Sequence, residues 1–377
     1  MIAGWAWTLL NLYLVISLCA ILFDLFVMLT ADARQRAQER RSATLQTLLE
    51  GQLTRVREGR EPDERLQMDL FRRLRHIDNV LAFCDLADGY SAAADPAFAR
   101  YLAQSGPLFA RLCRRYGGSQ KMYRASFAWL LASCRQDIPA AGPFLLACAA
   151  DRRSIYCREN ALTALYRGGS QDAVIRALKR MSQEDIHHSQ KLLTDGLLSF
   201  RGDRMALCGR LWAEFSALSP ALRLVTVDLM RFLNADYREE LLHLLDDAGT
   251  DDELCYAVLR YYGRCTYPPA RARMLRFLAQ PRRGLWEYAA VSASALRFYR
   301  GEDVTPALLA ALSDHNWYVR YNAAESLVFM GLGETSCAAV LEGADPYAAD
   351  ILRYMLDRRR LADSAAAERG GASLAHA

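Results

Sequence analysis

The chain lacks the sequence patterns that mark most catalytic centres. Across its 377 residues there is no G-x-S-x-G turn to expose a serine, no H-E-x-x-H pair to hold zinc on one helical face, and no P-loop to cradle phosphates. None of the ten cysteines (Cys19, Cys84, Cys113, Cys134, Cys148, Cys157, Cys208, Cys255, Cys265, Cys337) forms a C-x-x-C pair. Cysteines scattered in this way behave as small core hydrophobes, and they suit a reducing compartment better than a disulfide framework. No segment sustains the period-two alternation of a half-buried strand, so essentially no sheet is expected. The net charge is only +4, which lacks the strongly basic footprint of a nucleic-acid binder, and no nucleic-acid partner is expected. Gly117-Gly118 and Gly168-Gly169 stand alone at expected helix ends and read as C-caps. These absences lead to the expectation of a chain that is not an enzyme and holds neither cofactor nor metal.

Charge is also missing from the first 29 residues. Between Ile2 and Leu29 the sole carboxylate is Asp24, and there is no Lys or Arg. About 20 apolar residues cross a hydrocarbon core of about 30 Å, so residues 1–29 are expected to form a transmembrane anchor in contact with the lipid bilayer. Trp5 and Trp7 suit an interfacial belt. Arg34, Arg36, Arg40 and Arg41 follow the span, and nothing basic precedes it. The positive-inside bias then places the N-terminus outside and the rest in the cytoplasm, as in a single-pass plasma-membrane protein. The competing reading is a cleaved signal peptide, since Ala31-Asp32-Ala33 resembles a cleavage site. Against it, no basic n-region is present and the apolar run is roughly twice the usual length. Asp24 falls within about two turns of the basic flank, which favours a place near the headgroups over a contact with a partner helix.

Residues 30–62 are charged and helix-favouring. Leu45, Leu48, Leu49, Leu53 and Val56 make one apolar stripe, that of an amphipathic stalk helix that lies on the membrane, packs on the remaining domain or pairs with another copy. Gly59 and Pro62 interrupt it. Residues 63–118 are expected to form N-terminal capping helices. The first runs from about Asp63 to Ala87 and buries Leu66, Leu70, Leu74, Ile77, Val80, Leu81 and Cys84, with a turn at Asp88-Gly89-Tyr90-Ser91.

What the chain has in abundance is a repeat. Asn316-Trp317-Tyr318-Val319-Arg320-Tyr321-Asn322-Ala323-Ala324-Glu325-Ser326-Leu327 is echoed by Ile155-Tyr156-Cys157-Arg158-Glu159-Asn160-Ala161-Leu162-Thr163-Ala164-Leu165. Each places an Arg two residues before an Asn, then small residues, a Leu and a Gly. Aligning this helix sets anchors at Leu131, Leu165, Leu198, Met230, Leu259, Leu296 and Leu327, at intervals of 34, 33, 32, 29, 37 and 31. Between them lie second helical patterns, such as Val174-Ile175-Ala177-Leu178 and Met274-Leu275-Phe277-Leu278. A period of this length means stacked helical hairpins, none of which can bury its apolar face alone.

At these residues the chain resembles the HEAT-repeat family, especially its short bacterial form. The resemblance rests on Asp314, Val319-Arg320, Asn322-Ala323-Ala324, Leu327 and Gly331, and on Asp151, Arg158, Asn160-Ala161, Leu165 and Gly169. It implies an all-α fold in which the N-terminal transmembrane helix precedes an α-solenoid of HEAT-like hairpins over residues 119–360. Residues 361–377 are expected to be a disordered tail. The family binds other macromolecules, so the resemblance implies a scaffold with a protein partner; the tether, and nothing else in the sequence, points to a membrane enzyme of envelope assembly or a transporter as that partner. Two enzyme types use similar repeats, phycobilin lyases and alkylpurine DNA glycosylases, but a membrane anchor suits neither. An enzyme on this scaffold and a self-assembling structural protein are the alternatives.

Candidate residues are few. His187-His188 after Glu184-Asp185 is the best metal-like cluster, but adjacent His residues do not share a helical face. Ser182-Gln183-Glu184-Asp185 reads as a helix start with Ser182 as N-cap. Arg158 and Arg320 occupy one repeat position and read as a structural ladder bonding hairpin turns. Arg72-Arg73 with Arg75, and Arg358-Arg359-Arg360, read as solvated or membrane-facing charge. Aromatics crowd the last repeats. Tyr, Trp and Arg dominate interface energetics, and the expected partner-binding set is Tyr261, Tyr262, Trp286, Tyr288, Trp317, Tyr318, Arg320 and Tyr321.

Overall fold

The computed structural model describes the backbone of residues 2–374 and the side chains of residues 7, 11–28 and 35–365. The expected belt position of Trp5, the Arg34 side chain and the last residues of the tail lie outside the described set. Among the described residues every regular element is helical. The chain divides into two compact units, one of Met1–Ile186 with Ser199–Gly202 and one of His187–Leu198 with Asp203–Ala377.

The first unit contains α1 (Ile2–Arg57), α2 (Glu64–Leu74), α3 (Ile77–Ala92), α4 (Pro96–Gln104), α5 (Gly106–Gly117), α6 (Lys121–Ser133), α7 (Gly142–Ala149), α8 (Ile155–Gly168) and α9 (Gln171–Gln183). α1 runs without a break from the apolar segment into the charged one. Its portion Asn11–Met28 is long and apolar enough to cross a membrane, and among the described residues nothing covers it. Its C-terminal part is no free stalk: Leu45, Leu49, Leu53 and Val56 are buried as α1 packs on α2, α3 and α4. Successive contacts α1–α3, α3–α6 and α6–α8 build one layer, and α2–α5, α5–α7 and α7–α9 build the other.

Local chemistry explains the ends of these helices. α1 stops before Gly59, whose φ of +73° is left-handed. The fully buried Gln52 then fastens the following turn, donating to the Asp63 carbonyl at 2.9 Å and accepting from the Asp63 amide at 2.7 Å. The expected single helix over 63–87 is two, α2 and α3, and Asp88–Ser91 is helical and not a turn. Leu81, expected inside, is exposed. α8 ends at Gly169 with φ +79°, and a Cβ there would also face the Gly202 amide at 3.5 Å.

The second unit contains α10 (Gln190–Leu198), α11 (Arg204–Ala213), α12 (Pro220–Leu233), α13 (Leu242–Asp246), α14 (Asp252–Tyr262), α15 (Pro268–Ala279), α16 (Trp286–Leu296), α17 (Val304–Ala311), α18 (Trp317–Phe329), α19 (Ala338–Leu341) and α20 (Pro346–Leu374). α10, α12, α14, α16, α18 and α20 touch in succession as an inner layer, and the odd-numbered helices pack alongside. The anchors Leu131, Leu165, Met230, Leu259, Leu296 and Leu327 are buried, whereas Leu198 is half-buried and Leu197 takes its place. The expected tail continues as helix to Leu374, and residues 375–377 lie outside the description.

The repeated Asn has one structural job. Asn160 donates to the Ala125 carbonyl on α6 at 2.9 Å, and Asn322 donates to the Ala290 carbonyl on α16 at 3.1 Å. Both acceptors sit six residues before an anchor, so the same bond joins neighbouring inner helices in both units.

A pH test follows from Asp95, the N-cap of α4. It accepts hydrogen bonds from the Ala97 amide at 2.7 Å and the Phe98 amide at 3.4 Å, and from Arg57 at 3.0 Å. Burial alone would raise its pKa, but these bonds outweigh burial and hold it below the ordinary carboxylate value. Stability from such a group is present above the unfolded value of about 3.9 and lost as pH falls through the folded value. Asp95→Ala is expected to cost about 1 kcal/mol near neutrality. Denaturant unfolding across a pH series checks this: the gap to wild type should close as pH drops from about 5 to about 3.

Candidate functional site

The expected partner-binding set divides into residues turned inward and residues turned outward. Tyr261, Tyr262 and Tyr288 are 0% exposed and offer no surface to a partner. Their hydroxyls explain why. Tyr261 donates to the Ala235 carbonyl at 2.7 Å and accepts from the Tyr237 amide at 2.9 Å. Tyr262 donates to the Arg238 carbonyl at 2.6 Å. Tyr299, also buried, accepts from the Tyr267 amide at 3.0 Å and donates to the Tyr262 carbonyl at 3.0 Å. Tyr288 donates to Asp252 at 2.7 Å, and burial pushes its hydroxyl pKa well up. Each tyrosine is a strut that spans from an inner helix, or the turn that follows it, to a polar group of the preceding hairpin.

The outward residues come together. Trp286, at the start of α16, stacks on Tyr318 of α18, with ring centroids 5.1 Å apart and planes 14° from parallel. Trp317 meets Tyr318 edge to face at 5.1 Å and lies against Tyr321 at 4.9 Å. Trp317 is 50% and Tyr318 55% exposed. The Asn316 cap sets their position: its side chain accepts from the Tyr318 amide at 2.8 Å, and Asp314 accepts from the Asn316 amide at 2.7 Å. The result is a four-ring cluster on two adjacent helix starts.

Arg320 and Arg158 part company. Arg158 donates to the Asp151 carbonyl at 2.7 Å, as a ladder residue would. Arg320 instead lies over the Tyr347 ring at 5.3 Å, beside the cluster. Tyr347, 67% exposed, and Arg358 are members that the sequence reading missed. Arg358 donates to the Tyr321 hydroxyl at 2.8 Å, and Arg359 donates to the Val328 carbonyl at 2.6 Å. The run at 358–360 thus ties α20 to α18 and is not merely solvated charge. No periodic signal marks Tyr347; only its place as the second residue of α20 brings it near Arg320.

Other chemistry-bearing groups are structural. Ser182–Asp185 is a helix end and not a start: α9 stops at Gln183, Arg180 pairs with Glu184 at 2.7 Å, and Asp185 has φ +48°. His187 and His188 lie in the segment before α10, and among the described residues no three His, Cys, Asp or Glu side chains gather as a metal set. In the first unit Cys148 and Cys157 share a hydrogen bond that raises the Cys148 thiol pKa and lowers that of Cys157. Arg124 donates to the Cys148 sulfur at 3.6 Å. Both thiols are wholly buried.

The division between struts and surface can be tested. Tyr299→Phe strands a buried amide and carbonyl and is expected to cost about 1–3 kcal/mol. Trp317→Ala is expected to cost about 1 kcal/mol or less. Urea unfolding of the full chain reads both.

Residues 283–358, which include Trp286, Trp317, Tyr318, Arg320, Tyr321 and Tyr347, match the family described as HEAT repeats. No curated protein matches the chain. Among the described residues every regular element is helical, and the aromatic cluster lies on the segment that matches HEAT repeats.

Proposed function

We propose that the chain is a non-catalytic, membrane-tethered scaffold that holds a protein partner at the cytoplasmic face of a bacterial plasma membrane. The observation that carries this reading is the ring cluster of the exposed Trp286, Trp317 and Tyr318 with the half-buried Tyr321, flanked by Arg320. Aromatic side chains lose little entropy on binding and supply much of the energy of interfaces. HEAT repeats commonly mediate protein–protein interaction. The tether is supported by Asn11–Met28, with mean hydropathy 2.2, and by the basic residues that follow it. A tethered binder searches within the membrane plane, which favours a partner that is itself a membrane protein, such as an enzyme of envelope assembly. The non-catalytic part of the reading rests on the missing catalytic motifs and the inaccessible thiols.

Affinity purification of the full-length protein from detergent extracts tests the scaffold. A membrane protein should co-purify with wild type and fall at least about tenfold with the Trp317→Ala, Tyr318→Ala double variant. Equal recovery, or no specific protein in either case, contradicts the reading. Orientation is tested at Leu361→Cys, an exposed position on α20. A membrane-impermeant maleimide should label it only after lysis; labelling in intact cells would sink the cytoplasmic placement.

A further inference from the structure

The inner layer of the second unit carries an arginine at one repeat position on three successive helices, and one of the three is left without a counter-charge. The residue after three of the anchors is an arginine, Arg231 on α12, Arg260 on α14 and Arg297 at the end of α16, and the residue two before the anchor is Asp228, Ala257, Ser294 and Glu325 on α12, α14, α16 and α18. Where the pattern closes, the next helix supplies the counter-charge: Arg297 donates to Glu325 of α18 at 2.7 Å. Arg231 is served within its own helix by Asp228 at 2.9 Å. For Arg260 the matching position on α16 is Ser294, which is short and neutral. Among the described residues the Arg260 guanidinium has no hydrogen-bond or ion-pair partner.

Arg260 does not face open solvent alone. It lines a groove of about 450 Å³ with Arg231, Arg264, Phe232, Phe298 and Ser294. No carboxylate lines this groove. The Arg231 Nε is buried without a hydrogen-bond partner. Arg264 spends its Nε on the Asn234 side chain at 2.7 Å, which leaves its two terminal amino groups for a ligand. Phe232 and Phe298 are exposed aromatic walls. The floor is close-packed, since a Cβ on Gly263 would come within 3.3 Å of the Ala295 Cβ.

We propose that this groove binds an acidic segment of a partner protein, with a carboxylate side chain received by Arg260 and its arginine neighbours and an apolar side chain laid against Phe232 and Phe298. Glu325 is the internal template, a carboxylate held by Arg297 with Arg358 3.8 Å away. Guanidinium groups match carboxylates in bidentate geometry. The volume exceeds what a free carboxylate or phosphate fills, and two aromatic rings stand beside the arginines, which suits a peptide. Asp228 and Glu325 bound the positive charge on both sides, so it does not extend into the stripe that a nucleic-acid strand requires. The inference goes beyond the aromatic cluster and rests on different residues, so each can fail alone.

The test uses full-length protein in detergent and fluorescence anisotropy with a labelled octapeptide that alternates glutamate and leucine. The expected result is saturable binding, at least about tenfold weaker for the glutamine counterpart. Arg260→Ala should weaken binding about tenfold or more, and Ser294→Glu should do the same by installing the missing counter-ion. Trp317→Ala should leave the affinity unchanged. Arg260 is exposed, and unfolding curves confirm that each variant is folded. The proposal is overturned by equal binding of the glutamine peptide, by wild-type affinity in both groove variants, by no binding at millimolar peptide, or by stronger binding of an oligothymidylate.

Discussion

Stacking one helical hairpin on the next removes turn backbone from water, and every amide and carbonyl so removed needs a partner. In this chain side chains from the neighbouring repeat supply it. Tyr261, Tyr262 and Tyr299 reach back to the loops before α13 and α15. Asn160 and Asn322 reach across to the preceding inner helix, and Ser326 does likewise, donating to the Ala293 carbonyl at 2.8 Å. These bonds fix the register of adjacent inner helices in a way that apolar packing, which is not directional, cannot.

That constraint sorts the aromatics. A tyrosine two or three residues after an anchor points into the seam between hairpins, and its hydroxyl is consumed there. At the first two positions of an inner helix the side chain turns away from that seam, so Trp286, Trp317 and Tyr318 remain outside and stack on one another, whereas Tyr288 at the third position of α16 turns inward to Asp252. Charge is sorted by the same register. Glu325 meets Arg297, whereas Ser294 leaves Arg260 open. A surface built to satisfy its own repeats therefore displays binding capacity where a repeat departs from the rule.

Much of this was legible from the residues. The period located α6, α8, α12, α14, α16 and α18, and six of its seven anchors are core. The Leu45–Val56 stripe was visible, but a stripe does not say what covers it, and α1 turns out to be an inner-layer helix. Tyrosine was the weakest point. Its ring is apolar and its tip polar, so burial depends on whether a neighbouring repeat presents a carbonyl at the right distance, and no single-helix pattern carries that information. Ser182–Asp185 misled for a related reason: capping residues and acids fit a helix start, yet the Arg180–Glu184 pair and the left-handed Asp185 close α9 there.

The account turns on whether the aromatic cluster, and not the chain at large, meets a partner. The most direct measurement replaces Tyr318 in living cells with a photo-crosslinking amino acid, and Tyr156, also exposed, on α8, as the control. The account predicts adducts with a discrete membrane protein from position 318 and none of the same species from 156. Identical adducts from both positions, or none from 318, would contradict it.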